Sequence, residues 1–390
     1  MGGRLSDVQS SPKLENLKAL TSLRFIAAMM VVAHHALNVQ HWPWPKLLPG
    51  TMFHGVSFFF VLSGFILTHV YSSKPLSYPS FLRSRFARLW PVHVAAICLL
   101  AAIVPKDSVT FDGPGMFDKW VVLGFNLTLL HSLFPFVAYT FSWNSVSWSI
   151  STEMFFYLAF PLLLLNIDRT WHWKLIASAL VAAALVTFWW ALGVPQESPN
   201  IDAVSASFGS YPNPLMRGLE FCTGMATWVL WNRYLRHRSL PTWAWTLLEI
   251  ALLALCVYWL KVAFWWPIPA MNSWVLIWYG PAGSFWMFAI LIAVFASSRG
   301  ILAKVLSIRP FVFLGEISFS IYMLHLILMK VYSATFQSTD FSEASYFSVL
   351  FLVATASYLL VEKPGQRLVL RKWRSARSSA SAQTSPAATP

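Results

Sequence analysis

Eleven stretches of this chain stay apolar for nearly the length of a bilayer crossing, and this recurrence constrains the fold more than any motif does. A spanning helix needs roughly 20 mainly apolar residues. The candidates are 20–38, 54–72, 91–104, 119–135, 149–166, 174–193, 215–231, 243–261, 273–297, 309–331 and 345–362. Charged residues make up 11% of the 390, where soluble chains carry about 25%. That is too little polar material to coat a soluble domain of this size. The chain therefore reads as an all-α, polytopic transmembrane helical bundle embedded in a lipid bilayer. Its 21 Trp and 31 Phe suit interfacial belts and aromatic-lined cavities.

Charge decides how many of the eleven cross, because basic residues gather in cytoplasmic loops. If all crossed, the basic loop NRYLRHR (232–238) and the basic tail RLVLRKWRSAR (367–377) could not both share a side with the basic N-terminus. If 119–135 does not cross, they do. The cytoplasm then holds 1–19, 73–90, 167–174, 232–242, 298–308 and the C-terminus. The opposite loops, 194–214 and 332–344, contain no Lys or Arg. The expectation is ten spans, both termini cytoplasmic, with 119–135 re-entrant or packed at the outer face.

The net charge of +13 thus reads as an orientation signal and not as a nucleic-acid footprint. Cys98, Cys222 and Cys256 each lie inside an apolar run, without a disulfide framework or zinc spacing. No cleavable signal peptide is evident, since the first apolar run follows about twenty polar residues. Residues 1–18 are expected to form a cytoplasmic lead, 19–365 the membrane domain, and 366–390 a basic, then disordered tail. The tail's end, SSASAQTSPAATP, offers no apolar face.

The first span, TSLRFIAAMMVVAHHALN (21–38), carries ionisable groups. Arg24 lies at its inner end, where a long side chain can snorkel to the interface. His35 follows eleven residues later, about 20° off the same helical face and about 16 Å further along the axis. His34 falls about 80° away. One stripe thus bears a guanidinium near the cytoplasm and an imidazole deeper in the bundle. A neutral imidazole can serve as a general base; a hydrogen bond to a neighbouring helix would account for His35 equally well. His34, His35 and His41 make a poor metal site, because adjacent histidines point apart and His41 lies beyond the helix among prolines.

In the loop after span two, FLRSRFARLWP (81–91) sets Arg85 and Arg88 on one helical face, with Arg83 beside them. Guanidinium forks bind phosphate well, although positive-inside charge alone would account for any one of them. SWSISTEMFFYLAFP (147–161) aligns Ser149, Glu153 and Tyr157 at i, i+4 and i+8. A carboxylate within a span is costly unless paired. Arg217 in MRGLEFCTGM (216–225) is its candidate partner, with Glu220 competing for the same arginine. LGEISFSIYMLH (314–325) puts Ser318, Tyr322 and His325 on one face, so His325 is a candidate to line the cavity of His35, or to make a structural hydrogen bond. SYLLVEKPGQR (357–367) ends the last span, with Lys363-Pro364 as a stop and no assigned chemistry.

Together, LRFIAAMMVVAHH (23–35), FFFVLSGF (58–65), RFARLWP (85–91), SWSISTE (147–153), RGLEFCTGM (217–225), GEISFSIYMLH (315–325) and SYLLVEKP (357–364) resemble, in order, the motifs of the acyltransferase-3 family of bacterial membrane O-acyltransferases. The resemblance implies ten core helices in the bacterial inner membrane. It implies a cytoplasmic acyl-CoA donor, with acetyl-CoA favoured, and an acceptor hydroxyl on a carbohydrate or polyol-like substrate. No metal and no nucleic acid is implied. The family's R/K-x10-H pattern falls on Arg24 and His35, and its R-x-x-R pattern on Arg85 and Arg88. His35 is then expected as catalytic base with Arg24 assisting, and Arg83, Arg85 and Arg88 as binders of the donor nucleotide. Ser149, Glu153, Tyr157, Arg217 and His325 are expected to shape the acceptor site. The chain is too short for the hydrolase-like C-terminal domain of some members. A glycan transporter or flippase is the main competing reading. It calls for discontinuous helices in matching halves, and no such halves correspond in the sequence. A scaffold subunit of a polysaccharide assembly complex is the other, and it would tolerate loss of His35.

Overall fold

The computed structural model describes residues 17–38, 51–103, 118–198, 203–262, 273–335 and 342–371. His41 and the tail beyond 371 lie outside them. All regular structure among these residues is helical. The chain runs through α1 (Lys18–Asn38), α2 (Gly55–Tyr71), α3 (Tyr78–Ile103), α4 (Lys119–Leu127), α5 (Val137–Phe141), α6 (Trp148–Leu164), α7 (Ile167–Ala191) and α8 (Ala206–Ser210). It continues through α9 (Pro214–Leu230), α10 (Thr242–Val262), α11 (Ser273–Ala282), α12 (Phe285–Ala296), α13 (Ile301–Leu306), α14 (Arg309–Thr335) and α15 (Glu343–Ser357).

Nine helical runs among the described residues are long and apolar enough to cross a membrane, α11 and α12 acting as one. The tenth expected span is α9, which is less apolar for a physical reason. It carries Arg217 and Glu220, and every residue from Leu219 to Val229 is buried. Its neighbours are α2, α6, α7 and α12, so it needs no lipid-facing stripe. It extends through a π turn at Trp231–Leu235.

Segment 119–135 does not cross. With nine residues, α4 is about 14 Å long, under half of the roughly 30 Å hydrocarbon layer. Short helical turns follow it, with Asn126, His131, Ser132 and Asn144 buried. Helix direction agrees. α1 and α14 are parallel, with Thr21 against Gly315 and His35 against His325. α14 is the ninth crossing, parallel to the first, only if 119–135 stays on one side. By the same count α15 ends where α1 begins, and there Glu362 is a charge neighbour of Arg24 and Arg88.

Glycines set the closest helix contacts. α2 and α9 run parallel, Ser57 beside Arg217 and His69 beside Trp228. A Cβ on Gly224 would lie 1.9 Å from the Val61 carbonyl oxygen, and one on Gly64 2.1 Å from that of Phe221. Small residues of this kind let helix backbones touch where lipid provides no hydrophobic drive.

Two helix boundaries depart from expectation. α3 begins at Tyr78, so Arg83, Arg85 and Arg88 stand on a helix and not in a loop, and Pro91 lies inside it. Lys363-Pro364 does not stop the last helix, which runs on to Arg371. Proline lacks an N–H and its ring clashes with a carbonyl one turn back. The π turn at Tyr358–Glu362 widens the helix just ahead of it and makes room. The expected boundary at 365/366 therefore falls within a helix.

Candidate active site

Two cavities adjoin inside the bundle. The larger, about 240 Å³, lies between α1, α2, α3, α6 and α14, and its polar lining includes Arg24, Ser63, Arg85, Arg88, Ser149, Glu153, Tyr157 and Tyr322. The smaller, about 90 Å³, holds His34 and His35 among Phe53, Phe141, Trp148, Tyr211 and Tyr322. Val56 and Tyr322 line both.

The larger cavity is a guanidinium site. Arg85 and Arg88, three residues apart, share one face of α3. Arg83, turned about 200° from Arg85, is not among the lining residues. Among the described residues Arg24, Arg85 and Arg88 form no ion pair. The charge neighbours of Arg24 are Arg88, Glu362 and Glu153. Arginines left without salt bridges in a lined cavity suit an anionic ligand.

Glu153 corrects the expected pairing with Arg217. Its Oε1 accepts hydrogen bonds from Ser63 Oγ (3.0 Å) and from the Tyr157 hydroxyl (2.5 Å). α6 turns it toward the arginines of the larger cavity. Arg217 instead pairs with Glu220, its Nε 2.6 Å from Oε2 and its Nη2 donating to Oε1 at 3.1 Å. The i, i+3 spacing on one helix makes that pair local. Arg217 also donates to Ser57 at 3.2 Å and lies over the rings of Phe60, Trp148 and Tyr211, 5.2 to 5.7 Å from their centroids. It is buried and lines neither cavity.

His35 and His325 form a hydrogen-bonded pair, with Nδ1 of His35 2.9 Å from Nε2 of His325. The direction of that bond follows from the next one. His325 Nδ1 lies 2.7 Å from the Tyr322 carbonyl, which can only accept, so His325 carries its proton on Nδ1 and accepts at Nε2. His35 therefore donates from Nδ1 and keeps a lone pair on Nε2. His325 is fully buried behind His35 and lines neither cavity. Of the stripe on α14, Ser318 donates to the Gly315 carbonyl of its own helix. Tyr322 instead reaches across to α6. Its hydroxyl is 2.7 Å from Ser149 Oγ, and the Val146 carbonyl is 3.0 Å from Ser149 Oγ and 3.2 Å from the Tyr322 hydroxyl.

Sequence reasoning left Phe53, Ser63, Phe141 and Tyr211 without a role. Ser63 lies in FFFVLSGF, so a signal was present. The others come from turns and short helices that converge only in three dimensions. Among the described residues no cluster of three His, Cys, Asp or Glu side chains is arranged to hold a metal.

The family model described as an acyltransferase domain, acyltransferase-3, matches residues 17–362. The chain is 28% identical over 339 residues to the acyltransferase MdmB of Streptomyces mycarofaciens, covering 82% of this chain and 80% of that one. It is 24% identical over 370 residues to the peptidoglycan O-acetyltransferase OatA of Listeria monocytogenes, covering 89% of this chain and 55% of OatA. Nodulation protein 10 of Rhizobium leguminosarum is 28% identical over 186 residues, 43% of this chain and 48% of that one. No solved structure matches the chain. The family match spans the helical bundle from the start of α1 to the π turn that follows α15, and the chain belongs to the acyltransferase-3 family of multi-pass membrane acyltransferases.

Proposed function

We propose that the chain transfers an acyl group from cytoplasmic acyl-CoA to a hydroxyl of a carbohydrate acceptor, with His35 as general base. The observation that carries this reading is the hydrogen bond from His35 Nδ1 to His325, with His35 lining a cavity that adjoins an arginine-lined one. The phosphates of the donor stay beside Arg24, Arg85 and Arg88. The thin pantetheine arm brings the thioester along α2 and α6. The acceptor hydroxyl enters the aromatic-walled smaller cavity. His35 Nε2 takes its proton, the oxygen attacks the thioester carbonyl, the carbon–sulfur bond breaks, and the proton returns to the leaving thiolate.

Arg24 stands about 16 Å along α1 from His35 and lines the other cavity, so it belongs with the donor and not with the developing oxyanion. Ser149, Glu153 and Tyr157 move to the donor side with it, where they suit the amides and hydroxyl of pantetheine. Arg217 and His325 act from behind the walls. The acetyl group and the polysaccharide hydroxyl are supported by the name of OatA. Concentration of basic residues at one end of the bundle supports cytoplasmic termini in a bacterial inner membrane.

The test uses the protein in vesicles with radiolabelled acetyl-CoA and a surface-glycan fraction from cells lacking the gene. His35→Ala abolishes transfer at unchanged membrane content, His34→Ala is milder, and Arg85→Ala and Arg88→Ala raise the donor KM. Wild-type transfer by His35→Ala removes the base assignment. Movement of glycan without consumption of acetyl-CoA would favour a transporter.

A further inference from the structure

We infer that Tyr322 decides between transfer and hydrolysis: its phenol, tied to Ser149, is the septum that keeps the donor thioester from the His35 cavity until an acceptor occupies it. The inference rests on the acyltransferase reading above.

The two cavities share only Val56 and Tyr322 as lining residues. Val56 is a buried aliphatic side chain fixed on α2. Tyr322 closes the gap from α14, its ring 5.9 Å from those of Phe59 and His325 and its hydroxyl bridging to Ser149 and Val146 on the α6 side. On α6 itself the lining passes from Ser149 in the larger cavity to Trp148 in the smaller. The line from Val56 through Tyr322 to Ser149 thus stands between a thioester held by the arginines and the cavity of His35. Hydroxyl hydrogen bonds join the two sides of that line, while ring contacts with Phe59 and His325 pack the phenol from α2 and α14.

Such a barrier answers a chemical hazard. On the proposed mechanism His35 Nε2 can take a proton from water as well as from a sugar hydroxyl. Water oxygen would then attack the thioester carbonyl, the carbon–sulfur bond would break, and carboxylate and free thiol would leave with no acceptor modified. Excluding water from a reactive intermediate is a general task of closed active sites. The same residue serves the histidine pair through its backbone, because the Tyr322 carbonyl accepts from His325 Nδ1. Tyr322→Phe keeps that carbonyl and the ring while removing the hydroxyl, so it opens the septum without disturbing the base.

The experiment measures free thiol released from acetyl-CoA with no acceptor, alongside acyl transfer to the glycan fraction. A neutral hydrogen bond's usual net contribution predicts a rise of about two- to tenfold in acceptor-free hydrolysis for Tyr322→Phe and for Ser149→Ala. Val56→Ala, which widens the gap from the opposite wall, is expected to leak in the same sense. Adding His35→Ala removes the extra hydrolysis. Variants that transfer acyl groups yet hydrolyse at the wild-type rate overturn the septum, as does leakage that survives His35→Ala. A wild-type protein that never consumes acetyl-CoA defeats the acyltransferase reading itself, a result distinct from tight variants of an active enzyme.

Discussion

Replacing His325 by leucine removes the acceptor for the His35 Nδ1 proton while still filling most of the buried site. The 2.9 Å bond joins two neutral rings, and such a bond contributes about 0.5–1.5 kcal/mol net. Its larger effect is on where the proton resides. Without His325, a buried N–H loses its partner, at about 1–3 kcal/mol, and the penalty is relieved by moving the proton to Nε2, which takes the base away. The Val31 carbonyl, one turn back on α1, is a second acceptor for the His35 ring and keeps the loss partial. Each 1.4 kcal/mol or so is a factor of ten in rate. The expected fall in kcat is about 10-fold, up to about 100-fold, which corresponds to the loss of about 1–3 kcal/mol. The donor KM stays near wild type, because the arginine cavity is untouched. His325→Gln, which offers a side-chain oxygen to the same N–H, recovers part of the rate. Steady-state transfer in proteoliposomes at varied acetyl-CoA measures both parameters. A leucine variant with wild-type kcat, or one whose defect lies wholly in donor KM, would refute the tautomer reasoning.

Gly224→Ala places a methyl 1.9 Å from the Val61 carbonyl oxygen. α2 and α9 must part by about an ångström, at about 1–3 kcal/mol, and both melting temperature in detergent and activity should fall; an unchanged melt contradicts the close crossing. Glu220→Gln leaves the Arg217 guanidinium buried without its counter-charge, a change of about 3–5 kcal/mol, read as a lowered melting temperature. Glu153→Gln should raise the KM for acetyl-CoA and leave that for the acceptor; the reverse pattern would return Glu153 to the acceptor side.

The spacing between Arg24 and His35 was readable because a helix converts residue number into direction, and both side chains do face the interior. The ten-span count was readable from eleven apolar stretches and the loop charge that excludes one of them, and the parallel pairing of α1 with α14 agrees with that exclusion. The partner of Glu153 was not readable. Pairing between helices depends on how α6 and α9 are rotated against each other, which no local pattern encodes, while Glu220 lay one turn from Arg217 and prevailed. Spacing also put His325 on the correct face without telling whether it would line a cavity or stand behind His35. The last proline misled for a local reason: Pro364 would end a helix in most contexts, and here the helix passes through it to Arg371.

The histidine pair has a consequence for biogenesis. Position 35 lies in the first of the described spans, whereas position 325 lies in the ninth and is synthesised much later. Until then the His35 ring lacks the neighbour that holds its Nδ1 proton, so on the proposed mechanism a stalled or clipped polypeptide works at no better than the reduced rate expected of the leucine variant. On that reading, synthesis must be almost finished before the full rate is reached.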